Sequence, residues 1–313
     1  MTRDAISKLR SKLPIPPVAG EIDIAFGFDE RYAAHGAAVI ANVVRYAPGG
    51  RFRFIMLHTG VDRETQKKVE AAAPGQRWVW REVGDDDVPD FADWGHFTRA
   101  TLFRLGLDKL APADCHRLLY LDADITVLAD VRELWATDLE GCPIGAAIDA
   151  FVDPKRFAGL WGVPPGPEYF NAGILVIDLD MVRAEGLFAK AAEFVAKNNP
   201  ELNDQCGLNY ACWGRWKRFD VAWNAQRHMA IPSLIEEMSE DKRLNGRAPK
   251  IIHFTGPEKP WTPGAYHPWA WLYWESLKRT AFARAVPKTY GVTLKERLQV
   301  RLRWMKRRTA FGR

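Results

Sequence analysis

The chain has 313 residues, of which 47% are hydrophobic and 27% are charged, the composition of an ordinary globular protein with a substantial core. Its four cysteines show no C-x-x-C spacing, which argues against a structural zinc site and favours free thiols in a reducing compartment. Because no run of about 18 apolar residues is present and the N-terminus lacks an apolar segment, we expect neither a membrane-spanning helix nor a signal peptide.

Strand and helix patterns alternate through the first third of the chain. The predicted elements are, in order, a strand at Glu21 to Phe26, a helix at Tyr32 to Tyr46, a strand at Phe52 to Leu57, a helix at Arg63 to Ala73 and a strand at Trp78 to Val83. This alternation predicts an α/β fold with a parallel sheet and right-handed crossovers. The acidic segment from Gly84 to Gly95 is expected to be a solvated loop.

The rest of the body continues with shorter elements. They are a helix at Thr98 to Leu110, a strand ending at Asp122, a helix at Val131 to Trp135, a strand at Ile144 to Ile148, a loop at Asp153 to Glu168, a strand at Asn171 to Leu179 and a helix at Arg183 to Lys197. No internal repeat or Gly/Ser linker divides them. We therefore expect an N-terminal extension at 1–20, one compact domain at 21–275 and a C-terminal extension at 276–313.

Two carboxylates directly follow an apolar strand, in the run Arg117-Leu-Leu-Tyr-Leu-Asp-Ala-Asp124. Residues i and i+2 of an extended chain point to the same side, so Asp122 and Asp124 can aim at one point. Their mutual repulsion favours a cation between them, and polar groups at a strand end line the ligand crevice of open α/β sheets. The pair predicts a divalent metal site that carries a diphosphate; the alternative is a surface turn.

A second apolar strand ends in His253 and is followed by Gly256 and Lys259. An imidazole, open backbone amides and a cation in one short segment suit a metal-bound diphosphate. The alternative is a core histidine bonded to backbone. Asn171, in a run of small residues, can bond sugar hydroxyls but fits a tight strand start equally well, and Asn203 or Asp204 fits a helix N-cap as well as a site.

The positive charge is concentrated in the C-terminal tail, where residues 288–313 contain nine Lys and Arg and one Glu. From Leu294 onward the apolar residues fall on one helical stripe with basic residues around them: Leu294, Leu298, Leu302 and Met305. A basic amphipathic helix is typical of membrane-surface anchors, so we favour contact with an anionic membrane at its cytoplasmic face over a nucleic-acid contact or a merely solvated helix.

The order of these motifs along the chain resembles that of the family 8 glycosyltransferases, in particular the bacterial retaining galactosyl- and glucosyltransferases that extend lipooligosaccharide and lipopolysaccharide. The resemblance runs from about Asp23 to Trp261. The segments that carry it are Asp23-Ile-Ala-Phe26 with Asp29 and Tyr32-Ala-Ala34, Leu119-Tyr-Leu-Asp-Ala-Asp124, Tyr169-Phe-Asn-Ala-Gly173, Asn203-Asp-Gln205 and His253-Phe-Thr-Gly-Pro-Glu-Lys-Pro-Trp261.

The resemblance implies a GT-A fold and a UDP-sugar site. Asp122, Asp124 and His253 would bind Mn²⁺, with Mg²⁺ as the other choice. The remaining donor contacts that it implies are Asp29 and Tyr32 at the uracil, Arg104 and Ala123 near the donor, Gly256 and Lys259 at the phosphates, and Asn171 at the sugar. Asp149 and Asp204 would also bond sugar hydroxyls, with Gln205 beneath the anomeric carbon as the catalytic group. The chain departs from the relatives at two positions. Arg31 stands where relatives often carry Asn beside the nucleotide, and Cys206 stands where an acid often follows the Gln.

The expected function is therefore metal-dependent, retaining transfer of glucose or galactose from a UDP-sugar to a saccharide acceptor of a lipopolysaccharide-like, lipid-linked glycan. Retention is the hypothesis for the stereochemistry. Because the Gln205 amide is a poor nucleophile, attack by the acceptor hydroxyl on the face of the leaving group is favoured over a covalent glycosyl-enzyme. A glycogenin-like self-glucosylating enzyme and a non-catalytic, membrane-associated nucleotide-sugar binder are the alternatives. A sugar nucleotidyltransferase is disfavoured, since no Gly-rich basic loop lies near the N-terminus.

Overall fold

The computed structural model describes residues 20–84, 87, 99–230, 243–244, 248–264 and 267–310, with side chains in the last helix described as far as Arg303. The predicted N-terminal extension at 1–20 lies outside these residues except for Gly20, as does most of the predicted acidic loop.

The described residues contain a seven-stranded sheet in the order β3-β2-β1-β4-β7-β6-β8. Its strands are β1 (Ile22–Asp29), β2 (Phe52–Thr59), β3 (Arg77–Glu82), β4 (Arg117–Leu121), β6 (Ile144–Ile148), β7 (Phe170–Asp178) and β8 (Trp216–Arg218). A second, two-stranded sheet pairs β5 (Ile125–Val127) with β9 (Ile251–His253). Within the described part of the seven-stranded sheet, β7 alone runs antiparallel to its neighbours, so the prediction of a mostly parallel central sheet is confirmed.

Helices cover both faces of the large sheet, and the buried apolar side chains form one cluster on each face. The α-helices are α1 (Glu30–Tyr46), α2 (Arg63–Glu70), α3 (Leu107–Leu110), α4 (Val131–Trp135), α5 (Pro154–Trp161), α6 (Leu179–Glu185), α7 (Leu187–Asn198), α8 (Asn203–Ala211), α9 (Arg227–Ala230), α10 (Ala270–Leu277), α11 (Ala285–Thr289) and α12 (Leu294–Ala310). Two 3₁₀ helices lie at Arg99–Gly106 and Val221–Asn224. Burial on both faces explains why the central strands β4, β6 and β7 are mainly apolar, whereas the edge strands β3 and β8 carry charged residues.

Three predicted elements were wrong in detail. The predicted loop from Asp153 to Glu168 contains α5, which the Asp153 side chain caps and which ends at Gly162 with φ 65°. The predicted helix from Arg183 to Lys197 is two helices, because Gly186 takes a left-handed φ of 62° between them. Most of the segment predicted as one helix up to Leu110 is a 3₁₀ helix.

The parallel arrangement brings the polar strand ends to one edge. β1 and β4 pair in parallel, so their carboxyl ends, at Asp29 and Leu121, point the same way. β7 is antiparallel to β4, with Leu121 opposite Ile174, and so begins at that same edge. Asp122 continues this pairing by donating its backbone N–H to the carbonyl of Gly173 at 2.8 Å. This edge is where the ligand crevice of an open α/β sheet is expected.

The C-terminal helices pack along one side of α1 and form a third apolar cluster that includes Trp261, Tyr273, Leu277, Val286 and Val292. The last helix, α12, begins with a reciprocal pair of bonds between Thr293 and Glu296, a capping box. No helix of the described residues is both long enough and apolar enough to span a bilayer.

One side of α12 rests on α10 through two arginines, and another side is open. Arg297 stacks over Trp274 at 5.1 Å and Arg301 over Trp271 at 5.2 Å, each from the guanidinium carbon to the ring centroid. About 100° around the helix, three leucines at four-residue spacing face outward, and their exposed fractions are high: Leu294 62%, Leu298 49% and Leu302 50%. The predicted apolar stripe is therefore exposed over the part of α12 whose side chains are described.

Candidate functional site

Two carboxylates and an imidazole converge at the carboxyl edge of the sheet. The chain turns at Ala123 and Asp124 between β4 and β5, so the two aspartates do not lie on one extended strand as predicted. β9 pairs with β5 and brings His253 opposite Ile125. The His253 Nε2 lies 3.6 Å from Asp122 Oδ2 and 3.4 Å from Asp124 Oδ1. One ligand atom from each of the three side chains falls within 4.8 Å of the others, close enough to share a metal ion.

The other nitrogen of His253 is held by Asn224. The His253 Nδ1 lies 2.9 Å from the Asn224 side-chain oxygen, and since an amide oxygen only accepts, Nδ1 carries the proton. The unprotonated Nε2 then faces the two carboxylates. This is the arrangement in which a metal-binding histidine is normally oriented. Carboxylate oxygens with an imidazole nitrogen fit Mn²⁺ well and Mg²⁺ less well.

Gly173 leaves no room for a side chain at this point. A Cβ built on Gly173 would lie 2.2 Å from Cε1 of His253 and 2.7 Å from Oδ2 of Asp122. The backbone of β7 therefore supports the His253 ring and the Asp122 carboxylate from below. The run Asn-Ala-Gly therefore ends in a glycine at position 173, because the His253 and Asp122 side chains pass this close to the backbone.

Two cations, Lys259 and Arg104, compensate the acid pair. Burial by itself raises the pKa of Asp124, but the Lys259 ammonium outweighs it and holds that pKa well below its usual range. The Lys259 ammonium lies 2.5 Å from Asp124 Oδ2 and also donates to the Phe254 carbonyl at 2.7 Å. Burial raises the pKa of Asp122, Arg104 opposes that rise, and the neighbouring Asp124 adds to it. The carboxylate oxygens of the two aspartates are thus held close to positively charged side chains.

Arg104 links the acid pair to the start of α8. Its guanidinium lies 2.9 Å from Asp122 Oδ1 and 2.8 Å from Asp204 Oδ2, and it donates to the Ala172 carbonyl at 2.5 Å. Burial raises the pKa of Asp204 to about 6, against the pull of Arg104. Neither Asp204 nor Asn203 caps α8, whose N-cap Leu202 makes no side-chain bond, so the N-cap interpretation was wrong.

Gln205 belongs to a network of amides and one carboxylate. Its side-chain oxygen accepts from the backbone N–H of Ala172 and from the Asn171 amide, both at 3.0 Å. The Asn171 amide and the Gln205 amide also donate to one oxygen of Asp149, at 3.0 and 3.1 Å. Asp149 Oδ1 accepts from the Phe151 N–H at 2.8 Å. These bonds fix the three side chains relative to His253 and the acid pair, because Asn224 donates to Asn171 and is bonded to His253.

The end of β1 lies beside the same loop. Asp29 caps α1 by accepting from the Tyr32 N–H, and its other oxygen pairs with the exposed Arg31. The Tyr32 ring packs edge-on against Trp261 at 5.9 Å between centroids. Burial, together with the negative charge of Asp124, raises the pKa of Tyr32, so its hydroxyl stays protonated. Gly256 takes a φ of 77° in the loop after His253, a conformation that favours glycine.

The structure therefore brings together side chains that the sequence analysis named in several distant stretches of the chain. Asp122, Asp124, His253, Arg104 and Lys259 form its charged half, and the amide network of Asn171 and Gln205 with Asp149 adjoins them through Asn224. Buried Ala123 separates the two aspartates. Tyr32 contacts Trp261, which lies two residues after Lys259, and Asp29 is joined to Tyr32 by the cap bond.

Sequence reasoning missed two residues of this arrangement. Asn224 holds His253 in place, yet nothing in the run Ala222-Trp-Asn-Ala225 distinguishes it from a turn asparagine. Trp261 stacks under His35 at 3.5 Å between ring centroids, and its signal was the dense Pro/Trp composition after Lys259.

Comparison with known proteins finds a matching family model and several similar sequences. The sequence model described as glycosyl transferase family 8 matches residues 23–264. A lipopolysaccharide 1,3-galactosyltransferase of Salmonella typhimurium is 28% identical over 264 residues, which cover 79% of this chain and 75% of that protein. General stress protein A of Bacillus subtilis is 26% identical over 266 residues, covering 80% of this chain and 91% of that protein.

Among solved structures, the galactosyltransferase LgtC in complex with donor and acceptor sugar analogs superimposes with a TM-score of 0.76. It is 26% identical to this chain and covers 86% of it, while the whole of the LgtC chain is matched. The GT-A fold expected from the sequence is confirmed by this similarity together with the observed sheet.

Proposed function

The chain belongs to glycosyl transferase family 8, and from that premise we propose that it is a metal-dependent, retaining hexosyltransferase. The proposed reaction moves glucose or galactose from a UDP-sugar to a saccharide acceptor of a lipopolysaccharide-like glycan. The observation that carries the proposal is the convergence of Asp122, Asp124 and His253, with their ligand atoms within 4.8 Å and with Arg104 and Lys259 beside them. Two half-buried carboxylates this close repel each other, and Arg104 and Lys259 bind them from the outside, which leaves the space between the two acids and His253 for a cation.

Asp122, Asp124 and His253 are proposed to hold Mn²⁺, or Mg²⁺ in its place. When bound, the ion supplies positive charge that stabilises a diphosphate leaving group. Lys259 supplies a second positive charge at the same place, and Arg104 keeps Asp122 in position through an ion pair that is almost fully buried. Charge placed where negative charge develops lowers the barrier without rearrangement during the reaction.

We assign the donor sugar to the network of Asp149, Asn171 and Gln205, with Asp204 beside it. A retaining reaction through a covalent intermediate needs a free carboxylate or another good nucleophile. Asp149 already accepts three hydrogen bonds, which lowers its nucleophilicity, and Gln205 offers only an amide. We therefore favour attack by the acceptor hydroxyl on the face from which UDP departs, with the leaving phosphate oxygen taking the proton.

The nucleotide is assigned to the end of β1, where Asp29 and Tyr32 would contact the uracil. The Gly256 backbone and Lys259 would contact the phosphates. Asp29 is already engaged in capping α1, so only part of its hydrogen-bonding capacity remains for the base. Ala123, between the two aspartates, is small enough to let the donor approach the turn.

The acceptor assignment rests on the curated relatives, several of which are lipopolysaccharide glycosyltransferases. A lipid-linked acceptor agrees with the exposed leucine stripe and the basic residues of α12. We take 21–275 as the catalytic domain and 276–313 as the membrane-associating segment, at the cytoplasmic face of the membrane. Within that segment, residues up to Val292 pack against α1 and Trp261, so α12 is the part that offers a free face.

The test is a transfer assay with UDP-glucose and UDP-galactose, Mn²⁺ and a panel of saccharide acceptors, with the product's anomeric configuration read by NMR. The proposal predicts one preferred donor and a product with the donor's configuration. A protein-linked sugar in intact-mass analysis without added acceptor would instead favour the glycogenin-like reaction. UDP-sugar binding without transfer or hydrolysis would favour the non-catalytic binder. A sugar adduct on Gln205 or a neighbour would overturn the mechanism.

A further inference from the structure

The segment between α11 and α12 reaches the same end of α1 that carries Asp29 and Tyr32. Tyr290 is half-buried there, and its hydroxyl lies 3.3 Å from Nε2 of His35. The nearby charges of Arg31 and Asp29 act on the Tyr290 pKa, which burial raises, so this tyrosine stays protonated at the mouth of the proposed nucleotide site. Sequence reasoning assigned no role to Tyr290 or to His35.

His35 is fully buried and carries the contact inward. Its ring is stacked on Trp261 with 3.5 Å between centroids and 12° between planes, and its Nδ1 lies 2.7 Å from the Tyr273 hydroxyl. Burial lowers the pKa of His35 to about 3, so the imidazole is neutral. A neutral ring has one donor and one acceptor nitrogen, and the two tyrosine hydroxyls can satisfy both. The ring is therefore held from both sides, by Tyr273 and by Tyr290.

Trp261 connects the His35 ring to the turn that contains Lys259. It lies two residues after Lys259, inside a turn closed by the Thr262 N–H bonding to the Lys259 carbonyl at 2.9 Å. Its ring also packs edge-on against Tyr32 and lies 6.4 Å from the Tyr290 ring. One aromatic stack thus contacts both the residue proposed for the uracil and the turn that carries the proposed phosphate cation.

We propose that Tyr290 is a positioning residue for donor binding, acting through His35 and Trp261 on Tyr32 and Lys259. The inference rests on the proposed function, since it assumes that a nucleoside diphosphate occupies this site. It gives the C-terminal segment a second role besides membrane contact, because the segment forms part of the support of the donor site. Residues that hold binding groups in place affect affinity through the geometry of the groups they support.

The experiment is calorimetric titration of UDP with Mn²⁺ into the full-length chain, with donor and acceptor KM values measured in parallel. Tyr290→Leu keeps apolar bulk but removes the hydroxyl and the ring, and Tyr290→Phe removes the hydroxyl alone. The matched control is Tyr46→Leu, a half-buried tyrosine at the far end of α1. We expect Tyr290→Leu to raise the Kd for UDP and the donor KM by about tenfold. Tyr290→Phe keeps the ring beside Trp261 but loses the bond to His35, so it should raise both by roughly threefold.

The acceptor KM of Tyr290→Leu should stay within about twofold of wild type, since the affected contacts are all on the donor side. A purely structural role would lower the thermal midpoint and the folded fraction while leaving the Kd for UDP unchanged, and that result overturns the inference. Equal loss of affinity in Tyr46→Leu would also overturn it. Failure of the wild-type protein to bind UDP would overturn the proposed function and this inference with it, which is a distinguishable result.

Discussion

At Gly173 the backbone passes so close to His253 and Asp122 that even a methyl group has no space. We predict that Gly173→Ala displaces one or both side chains and lowers metal affinity and transfer rate by about tenfold to 100-fold, the range seen when the support of metal ligands is disturbed. Mn²⁺ titration and steady-state rates measure the effect. Gly159→Ala is the control, because this helical glycine has no heavy atom near its added Cβ and should tolerate the change.

Asn224 supports the same histidine from the other side of the ring. We predict that Asn224→Ala frees His253 to rotate and weakens Mn²⁺ binding by about tenfold or more, with the fold retained. The control is Asn198→Ala, whose amide bonds only the Phe194 carbonyl near the end of α7. Equal metal affinity in the Asn224 variant and the wild type would show that this bond does not orient the imidazole.

For individual residues, the sequence was informative where the residue type and its place at the end of a predicted strand together indicated a binding role. Asp122 and Asp124 were recognisable because two acids at positions i and i+2 directly follow an apolar strand, and His253 because Gly256 and Lys259 follow it. The convergence of these groups depends on a turn at Asp124 and on β5–β9 pairing, which no local pattern in the sequence indicates. Asn224 was missed for the same reason, since its importance comes from a partner 29 residues away.

Helix α12 has one side that packs against α10 and another side that is exposed to solvent. Two arginines attach it to α10, while Leu294, Leu298 and Leu302 remain exposed. We predict that replacing all three leucines by serine abolishes co-sedimentation with vesicles containing anionic lipid and leaves the Kd for UDP unchanged. Wild-type binding should weaken as salt is raised, because part of the attraction is electrostatic.

Leu160→Ser is the matched control for this experiment, since Leu160 is 62% exposed but lies on α5, away from the basic tail. Vesicle binding by the triple-serine variant at the wild-type level would rule out α12 as the anchor.

Among the elements, those with strong local signals were predicted well. The bounds of α4 and β6 match the prediction. β6 is a short apolar segment, and α4 begins directly after the capping residue Asp130. The break at Gly186 was missed because a single glycine inside a helical pattern is compatible with a continuous helix. Helix α5 was missed because its Pro and Gly residues, which here start and end the helix, read as loop composition.

For the whole molecule, buried neutral histidines make stability depend on pH. Burial lowers the pKa of His267 to about 3, from an ordinary value near 6.5. The unfolded chain therefore binds more protons than the folded chain between those values, so stability falls as pH falls from about 6.5 toward 3. His267→Leu removes this term. We predict that the wild type loses roughly 2 kcal/mol more than the variant between pH 7 and pH 5.

Urea unfolding in EDTA at pH 7, 6 and 5 measures this difference. Comparing the variant with the wild type cancels the opposite contribution of Asp204, whose raised pKa makes the folded state less stable as pH rises above about 4. Parallel pH profiles for the two proteins would contradict the prediction.

The fold class could be predicted from the alternation of apolar strands and helices, and the predicted GT-A architecture followed from the order of motifs. The antiparallel insertion of β7 between β4 and β6 could not, because a strand buried on both faces has the same apolar composition in either direction. The position of β7 brings the strand segment with Asn171 and Gly173 next to β4, where Asp122 bonds Gly173. The direction and position of β7, which the sequence does not predict, therefore determine how the site residues come together.

We propose above that Asp122, Asp124 and His253 bind a divalent ion that is needed to hold the diphosphate of the donor. Calorimetric titration of UDP into metal-free protein with and without Mn²⁺, for the wild type and for Asp124→Asn, tests this dependence. We predict tight UDP binding by the wild type only with Mn²⁺, and its loss in Asp124→Asn. Equally tight UDP binding in EDTA, or an Asp124→Asn variant that binds like the wild type, would contradict the account.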